Sequence, residues 1–503
     1  MKSKNTTTQE YDCASNRRRF LKWGMEAASV AAIGAVSLPT AAAVNAVGAD
    51  SDLTNERYLD VVIIGAGLAG LTAARDLQRA GNSSFLVLEA RDRVGGRILN
   101  HELADGHFSE AGGQWIGPGQ TAIFDLAREL DVKTFDSVYA GKTVLTVGQG
   151  KFAADTGGSV DGNPEITAEL DIMASKVPSG KPWTAENAAE WDQTSLGEWL
   201  ENKEIDAVES ATWSLASLMT TGTAPSKVSL LHYLSMVNSA GTVRALESQK
   251  DGAQETRFHG GSSVLTETMA DALEDKLILN CPVREVREWD TDSVKVVTDR
   301  GVVQARRVIL ALSPPLCEQI AYSPALPAPR RALQRQWPAH APMCKTAMVY
   351  PRPFWRSRGY NGQVSSLDGL IAWSYDNSPY DASLGVINAF VRVAELPGDK
   401  EEAKTRLAQL YADAMDDERL LAPTEFHLHD WGEDDFTLSC VSPMPPGLLT
   451  SGLMPALTEN AGSLIWSGTE TADIWAGYMD GAVRSGRKAA LQALQALSVK
   501  GCA

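Results

Sequence analysis

The clearest pattern of apolar and polar positions runs from residue 58 to residue 89. Residues 58–64 (YLDVVII) form a short, β-branched apolar run that is followed at once by glycine, which predicts a buried parallel strand. Residues 71–77 show a helical pattern that ends near Gly81, and a second apolar run at 85–88 ends at Glu89. The predicted order is therefore strand, glycine-rich turn, helix and strand.

The glycine-rich turn has the spacing G-x-G-x-x-G, formed by Gly65, Gly67 and Gly70, with Ala69 before the last glycine. In such a motif the first glycine makes a tight turn, the second lets the backbone approach a pyrophosphate, and the third lets helix and strand pack closely. The helix N-terminus then faces the anion. Glu89 follows Gly70 at the spacing expected of a carboxylate that binds a ribose hydroxyl and repels a 2′-phosphate. The unit predicts FAD or NAD binding rather than NADP.

Two long stretches lack this motif and have mixed patterns. Residues ~130–250 are interpreted largely as amphipathic helices, and residues ~320–455 mix strand-like runs with Pro-rich turns and one charged helix. We interpret both stretches as one substrate domain that covers the cofactor. The predicted elements are helices at 165–176, 207–219 and 400–415 and strands at 346–350 and 385–393.

Composition limits the function classes. The 503 residues have room for two to four domains, and the 44% hydrophobic content is that of a globular protein. With 46 Lys and Arg against 63 Asp and Glu, the net charge of −17 argues against a nucleic-acid partner. Six cysteines without CxxC spacing argue against a disulfide scaffold or a zinc site. His427 and His429 could share a strand face, but we predict no metal site there and interpret them as structural.

The first fifty residues form a segment of different composition. Residues 16–22 (NRRRFLK) precede an Ala-rich run at 27–43, and small residues follow. This order of a charged region, an apolar region and a cleavage zone, with its Arg pair, resembles a twin-arginine signal, which exports folded proteins. A membrane anchor is the weaker alternative because Pro39 and polar residues interrupt a short run. We predict a signal peptide at 1–49, a periplasmic or secreted protein, and no integral membrane anchor at the C-terminus.

Downstream of Glu89 the sequence resembles the flavin-containing amine oxidase family, which includes monoamine oxidases, putrescine oxidases and bacterial nicotine-degrading amine oxidases. The resemblance rests on R-D-R-V-G-G-R at 91–97 and E-A-G-G-Q-W-I-G at 110–117. It implies FAD as the cofactor, with the first motif at the phosphates and ribityl chain and the second along the flavin. The residues that it singles out are Arg91, Gly96, Arg97, Gly113, Gln114 and Trp115.

The resemblance extends over residues 58–490, with further motifs in family order. It implies that the main chain of Val283 holds the adenine and that the C-terminal segments at 464–470 and 475–483 face the flavin, through Gly468, Glu470, Tyr478 and Met479. It also implies an α/β fold in which a Rossmann-like FAD-binding domain is interleaved with an α+β substrate-binding domain. We predict the first at 55–130, 250–320 and 456–498, and the second at 131–249 and 321–455.

Five positions are candidates for the chemistry. By resemblance, Lys345 holds a water beside the flavin, and a lysine in an apolar strand is costly to bury without a role; a solvated edge strand is the alternative. Tyr478 matches one wall of an aromatic cage, whereas Val441 stands at the other wall and suggests a wider pocket. Trp431 could pack on the flavin or belong to the core. Cys440 stands where some relatives tether flavin covalently, although it could equally be a buried small hydrophobe.

These observations predict oxidation of a primary or secondary amine to an imine, then to an aldehyde or ketone, with O2 or a periplasmic redox protein as electron acceptor. The alternatives are an L-amino-acid oxidase or a flavin desaturase on the same fold, and a non-enzymatic binding protein. The identity of the amine and the oligomeric state are left open by the sequence.

Overall fold

The structure is a computed structural model that describes residues 53, 58–148, 150–157, 163–339, 341–367 and 369–498. The predicted signal peptide at 1–49 lies outside the described residues.

The largest sheet is built around the first predicted strand. Tyr58–Ile64 pairs in parallel with Phe85–Leu88 on one side and with Gly301–Ala311 on the other. Gly301–Ala311 also pairs with two further strands. Its first residues pair antiparallel with Val294–Thr298, and its last residues pair in parallel with Leu464–Ser467. The path through the sheet is Ala321–Ser323, Val283–Arg287, Val294–Thr298, Gly301–Ala311, Tyr58–Ile64, Phe85–Leu88 and Leu277–Ile278.

Two helices cover this sheet, Leu68–Arg79 from the start of the chain and Met479–Ser498 from its end. They pack directly on each other, since a Cβ at Gly486 would lie 2.3 Å from the carbonyl oxygen of Ala69. Their buried side chains join those of the sheet in one apolar cluster. Residues from distant parts of the sequence therefore form the cofactor half of the molecule.

The second half contains an antiparallel four-stranded sheet in the order Ile371–Asp376, Gly385–Arg392, Met343–Tyr350 and Glu425–His429. Smaller sheets and pairs are formed by Lys142–Val147, Gly150–Asp155 and Tyr360–Ser366, by Asn100–Glu102 and Phe108–Glu110, and by Thr134–Asp136 and Thr256–Phe258. The remaining α-helices are Thr121–Glu129, Pro164–Ala174, Ala188–Gln193, Leu196–Glu201, Ala207–Thr221, Leu230–Ala240, Val243–Glu247, Ser263–Asp271, Pro314–Glu318, Ala328–Gln336 and Lys400–Met415.

Several predicted elements are confirmed, among them Tyr58–Ile64, Phe85–Leu88 and Lys400–Met415. The largely helical interpretation of residues 130–250 was wrong at its start. Strands occupy much of 134–155, because Lys142–Val147 and Gly150–Asp155 form a hairpin that the apolar pattern did not identify, and Lys142–Val147 also pairs with Tyr360–Ser366 more than two hundred residues later. Within the described residues, no helix is both long and apolar enough to cross a bilayer.

The α/β fold is as predicted. The limits of the two domains stay a prediction.

Candidate active site

The glycine-rich turn has the geometry that its spacing predicts. Gly65 has φ +100°, in the left-handed region that favours glycine, and a Cβ at Gly70 would lie 2.0 Å from the Gly65 carbonyl oxygen. Glu89 Oε2 accepts a hydrogen bond from the Ala66 amide at 2.7 Å, and Oε1 accepts one from the Arg91 amide at 3.0 Å. The acid is thereby fixed at the end of the second strand.

A cavity of about 410 Å³ begins at this turn and runs across the end of the main sheet. Most predicted cofactor residues line it: Gly65, Gly67, Ala69, Glu89, Arg91, Gly96, Arg97, Gly113, Gln114, Trp115, Val283, Trp431, Gly468, Tyr478 and Met479. Gly70 and Glu470 do not. Gly70 packs against the turn, and Glu470 instead lines a neighbouring cavity.

The turn leaves space for an anion. Gly67 lines the cavity, and a Cβ built there would meet no other atom closer than 3.9 Å, so any side chain would occupy the cavity itself. Gly67 also precedes helix Leu68–Arg79, whose first turn has no side-chain cap. Uncapped amides at a helix N-terminus suit a phosphate, and Glu89 at the strand end suits a ribose hydroxyl. The cavity therefore fits a dinucleotide.

Two of the three arginines of the 91–97 motif, Arg91 and Arg97, line this cavity and are held there by acids. Arg91 donates to Asp434 Oδ1 and to Thr437 Oγ1, each at 2.5 Å, and Arg97 Nη2 lies 2.8 Å from Glu470 Oε1. The other oxygen of Glu470 is buried without a hydrogen-bond partner among the described residues. These pairs fix the guanidinium groups in the cavity wall, where guanidinium binds phosphate well.

Lys345 lies in the fully buried strand Met343–Tyr350 and is only 5% exposed, so the solvated edge-strand alternative was wrong. Its Nζ donates to the Gly112 carbonyl oxygen at 2.8 Å and to Gln114 Oε1. Burial lowers the pKa of Lys345 to about 7, with Glu110 opposing the shift. The amine is thus close to half protonated at neutral pH.

A chain of buried hydrogen bonds connects Lys345 to an ion pair. Gln114 donates to Asn377 Oδ1 at 2.8 Å, and Asn377 donates to Glu110 Oε2 at 2.9 Å. The same Glu110 oxygen accepts from Arg257 Nη2 at 2.8 Å, and both side chains of this pair are at most 3% exposed. The network fixes the orientation of Gln114, and through it the position of the amine.

Aromatic side chains surround this amine on neighbouring strands. Phe390 is directly opposite Lys345 in the sheet, and Trp373 is opposite Phe390 on the next strand. The Lys345 ammonium lies 5.6 Å from the ring centroids of Trp115 and Phe390. No motif in the sequence marks Trp373, Tyr375 or Phe390 as lying at this site. Trp373 and Tyr375 are two residues apart in one strand, so their side chains lie on the same face. This spacing is the local signal that marks the two residues.

A second, larger cavity of about 640 Å³ meets the first one. Tyr478 lines both cavities, and its ring contacts Trp475 with centroids 5.0 Å apart. Val441 also lines both, and it fills the space beside Gly222, where a Cβ would lie 2.1 Å from Val441 Cγ2. Trp115 and Phe390 also line both cavities and add aromatic surface there.

Comparison with known proteins agrees with this geometry. Residues 68–494 match the family model described as flavin containing amine oxidoreductase. AofH of Mycobacterium tuberculosis is 35% identical over 445 residues, which are 86% of this chain and 96% of that protein. The chain belongs to this family. It is an amine oxidoreductase with FAD as its cofactor.

Other relatives give the same result. Amine oxidase [flavin-containing] B of Mus musculus is 31% identical over 87% of this chain and 86% of its own. Among solved structures, cyclohexylamine oxidase from Brevibacterium oxydans has a TM-score of 0.80 at 30% identity, and putrescine oxidase bound to putrescine has 0.79 at 31%. These two alignments cover 88% and 87% of this chain and 99% of each of the other chains.

Trp431 and Cys440 lie at the FAD cavity. Trp431 is 6% exposed and donates its indole N–H to the Ala111 carbonyl oxygen at 2.9 Å, so it is both buried and part of the cavity wall. Cys440 lines the FAD cavity and the second cavity, and burial raises the pKa of its thiol to about 11. The thiolate needed for a nucleophilic attack is therefore scarce at neutral pH.

The two histidines that were predicted to share a strand face do so. His427 and His429 pack on His101, with ring centroids 5.5 and 5.6 Å apart, and His429 contacts Trp431 at 4.3 Å. Burial lowers the pKa of His101 to about 4. In the part of the chain that the structure describes, no cluster of His, Cys, Asp and Glu has metal-binding geometry.

Proposed function

We propose that the chain oxidises a primary or secondary amine to an imine, which water hydrolyses to an aldehyde or ketone. FAD, when bound, supplies the redox chemistry by accepting a hydride equivalent from the carbon next to nitrogen. The observation that carries the proposal is the junction of the two cavities, where Tyr478, Trp115 and Phe390 line both cavities and Lys345 lines the FAD cavity with its amine 5.6 Å from the ring centroids of Trp115 and Phe390.

The residues at the junction bind and orient the amine. Burial at the junction removes water and so disfavours an ammonium ion, which helps an amine with an ordinary pKa of ~10.4 to bind unprotonated. Lys345 Nζ can hold or release a proton near pH 7 and can position a water through its remaining hydrogen. These groups thus position a neutral amine in a dry site.

An L-amino-acid oxidase would need an arginine aimed at the substrate carboxylate. Among the described residues, Arg97 is the arginine that lines the second cavity, and it is paired with Glu470. This pairing favours an amine without a carboxylate.

We further propose that the protein is exported folded by a twin-arginine-type signal to the periplasm or the exterior, and that O2 or a periplasmic redox protein accepts the electrons. The twin-arginine pattern at residues 16–22 supports the export route.

The test of the reaction is anaerobic bleaching of the flavin spectrum by a panel of amines, with L-amino acids as a parallel panel. Bleaching by amines supports the proposal. Bleaching by amino acids alone, or colourless protein that takes up no FAD, contradicts it. Reoxidation in air, with hydrogen peroxide measured, then separates O2 from a redox protein as the acceptor.

A further inference from the structure

The wall of the second cavity contains a carboxyl group that the proposed reaction does not use. Glu247 ends the short helix Val243–Glu247 and lines this cavity. Tyr233, on helix Leu230–Ala240, donates its hydroxyl to Glu247 Oε1 at 2.5 Å. The other oxygen, Oε2, has no hydrogen-bond partner among the described residues. Burial raises the pKa of Glu247 to about 7, because water is excluded around it.

The charges around the cavity leave Glu247 without a cation. Two other lining acids are paired: Glu470 with Arg97 at 2.8 Å, and Asp473 with Lys488 at 3.2 Å. In the described part of the chain, no lysine or arginine lies within ion-pair distance of Glu247. His232 also lines the cavity, but burial lowers its pKa to about 4, so it supplies no positive charge at neutral pH.

A second acceptor lies beside this carboxyl group. Gln254 lines the cavity and donates its side-chain N–H to the Leu246 carbonyl oxygen at 3.3 Å, whereas its buried Oε1 has no donor among the described residues. Glu247 and Gln254 thus offer unpaired oxygens in one region of an otherwise mainly apolar wall. The buried Gln254 Oε1 is costly to leave without a donor, and the half-buried Glu247 carboxyl group lines the same cavity, so this region suits a ligand that brings N–H groups.

We propose that Glu247, with Tyr233 and Gln254, forms a subsite for a second, positively charged amino group of the substrate. The inference deepens the proposed function and rests on it, because it assigns the substrate class as diamines or amines with a second basic nitrogen. Glu247 is near enough to the junction for its charge to contribute to raising the pKa of Tyr478, after burial as the main cause.

The two environments would sort the two nitrogens of such a substrate. Desolvation at the junction favours the unprotonated amine, whereas the carboxylate favours the protonated one. The neutral nitrogen would lie at the junction and its carbon would be oxidised, while the cationic nitrogen stays at Glu247. If Glu247 served only to hold Tyr233 in place through their hydrogen bond, the protein would not prefer a diamine to a monoamine.

Binding can be measured without turnover. The probes are a diamine in which both nitrogens are on fully substituted carbons, so that no hydrogen is available for oxidation, and the monoamine with the same carbon skeleton. Isothermal titration calorimetry with FAD-loaded protein should show the diamine binding about 10- to 100-fold more tightly than the monoamine. Glu247→Gln should abolish most of this preference, and Glu186→Gln, at an exposed acid, should keep it.

The preference of the unaltered protein is a result in its own right, which keeps the proposal testable if the Glu247 variant does not fold. Equal affinity for the two probes, or a preference that Glu247→Gln retains, would overturn the subsite. Anaerobic flavin bleaching by oxidisable amines is measured separately. If amines bleach the flavin and the diamine preference is absent, the subsite alone is wrong; if no amine bleaches it, the proposed reaction is wrong.

Discussion

Replacing Lys345 by methionine removes a buried amine and keeps a long, apolar side chain in the same strand. The pKa of Lys345 falls from its ordinary value of 10.5 to about 7, which corresponds to about 5 kcal/mol of unfavourable interaction of the charged form in the fold. This energy limits how much the difference in free energy of unfolding between Lys345→Met and the unaltered protein, called the gap below, can change with pH.

The sign follows from proton binding. Between pH 7 and 10.5 the unfolded chain keeps the proton of Lys345, whereas the folded protein has released it, so the unfolded state binds more protons. The free energy of unfolding of the unaltered protein therefore rises with pH in this window, by at most about 1.4 kcal/mol per pH unit. Lys345→Met lacks this contribution. Its stability relative to the unaltered protein should be greatest near pH 7 and should decline toward pH 10.

Urea unfolding at pH 7, 8, 9 and 10, with constant ionic strength and saturating FAD, measures both proteins. Removing the hydrogen bonds and packing of the amine shifts the gap between them by an amount that does not depend on pH, so the slope of the gap is the signature of the buried amine. Lys250→Met, at an exposed lysine, serves as the control and should show a gap that is flat with pH. A gap for Lys345→Met that is equally flat, within about 0.5 kcal/mol, would show that the pKa of Lys345 is not lowered in the folded protein.

Three further predictions concern the FAD half and its surroundings. Gly70→Ala should destabilise the protein by about 1–3 kcal/mol and lower its FAD content, since a Cβ there would lie 2.0 Å from the Gly65 carbonyl oxygen; absorbance of the purified protein measures this. Arg257→Met should cost about 3–5 kcal/mol in urea unfolding because it leaves the Glu110 carboxylate buried and unpaired. Acid precipitation should release the flavin into the supernatant, because the Cys440 thiol is largely protonated.

Each of these has a matched control. Gly398→Ala places a Cβ where no atom lies within 4 Å, and it should keep the full FAD content. Arg331→Met, at an exposed arginine, should change stability by no more than about 0.5 kcal/mol. A yellow pellet after acid precipitation would contradict the third prediction. A colourless pellet from Cys440→Ser would then identify the tether.

Local sequence was enough for the dinucleotide-binding unit. Gly65, Gly70 and Glu89 act within one strand, turn, helix and strand, so the spacing that predicts them is also the spacing that places them. Lys345 could be found by the same kind of argument, since one cation in an apolar strand is conspicuous. The pairing of Lys142–Val147 with Tyr360–Ser366 could not, because that partner strand is distant in sequence.

The surroundings of the reacting centre depended on tertiary structure. The Lys345 amine meets Gly112 and Gln114 from 233 and 231 residues away, and Phe390 lies opposite it only through the register of two antiparallel strands. Glu247 lines the second cavity although nothing in its local sequence marks it. The cofactor turn follows from local sequence alone, because its interactions are short in range. Only the packing of distant strands and helices decided the substrate walls, because side-chain periodicity records which face is buried and not which partner covers it.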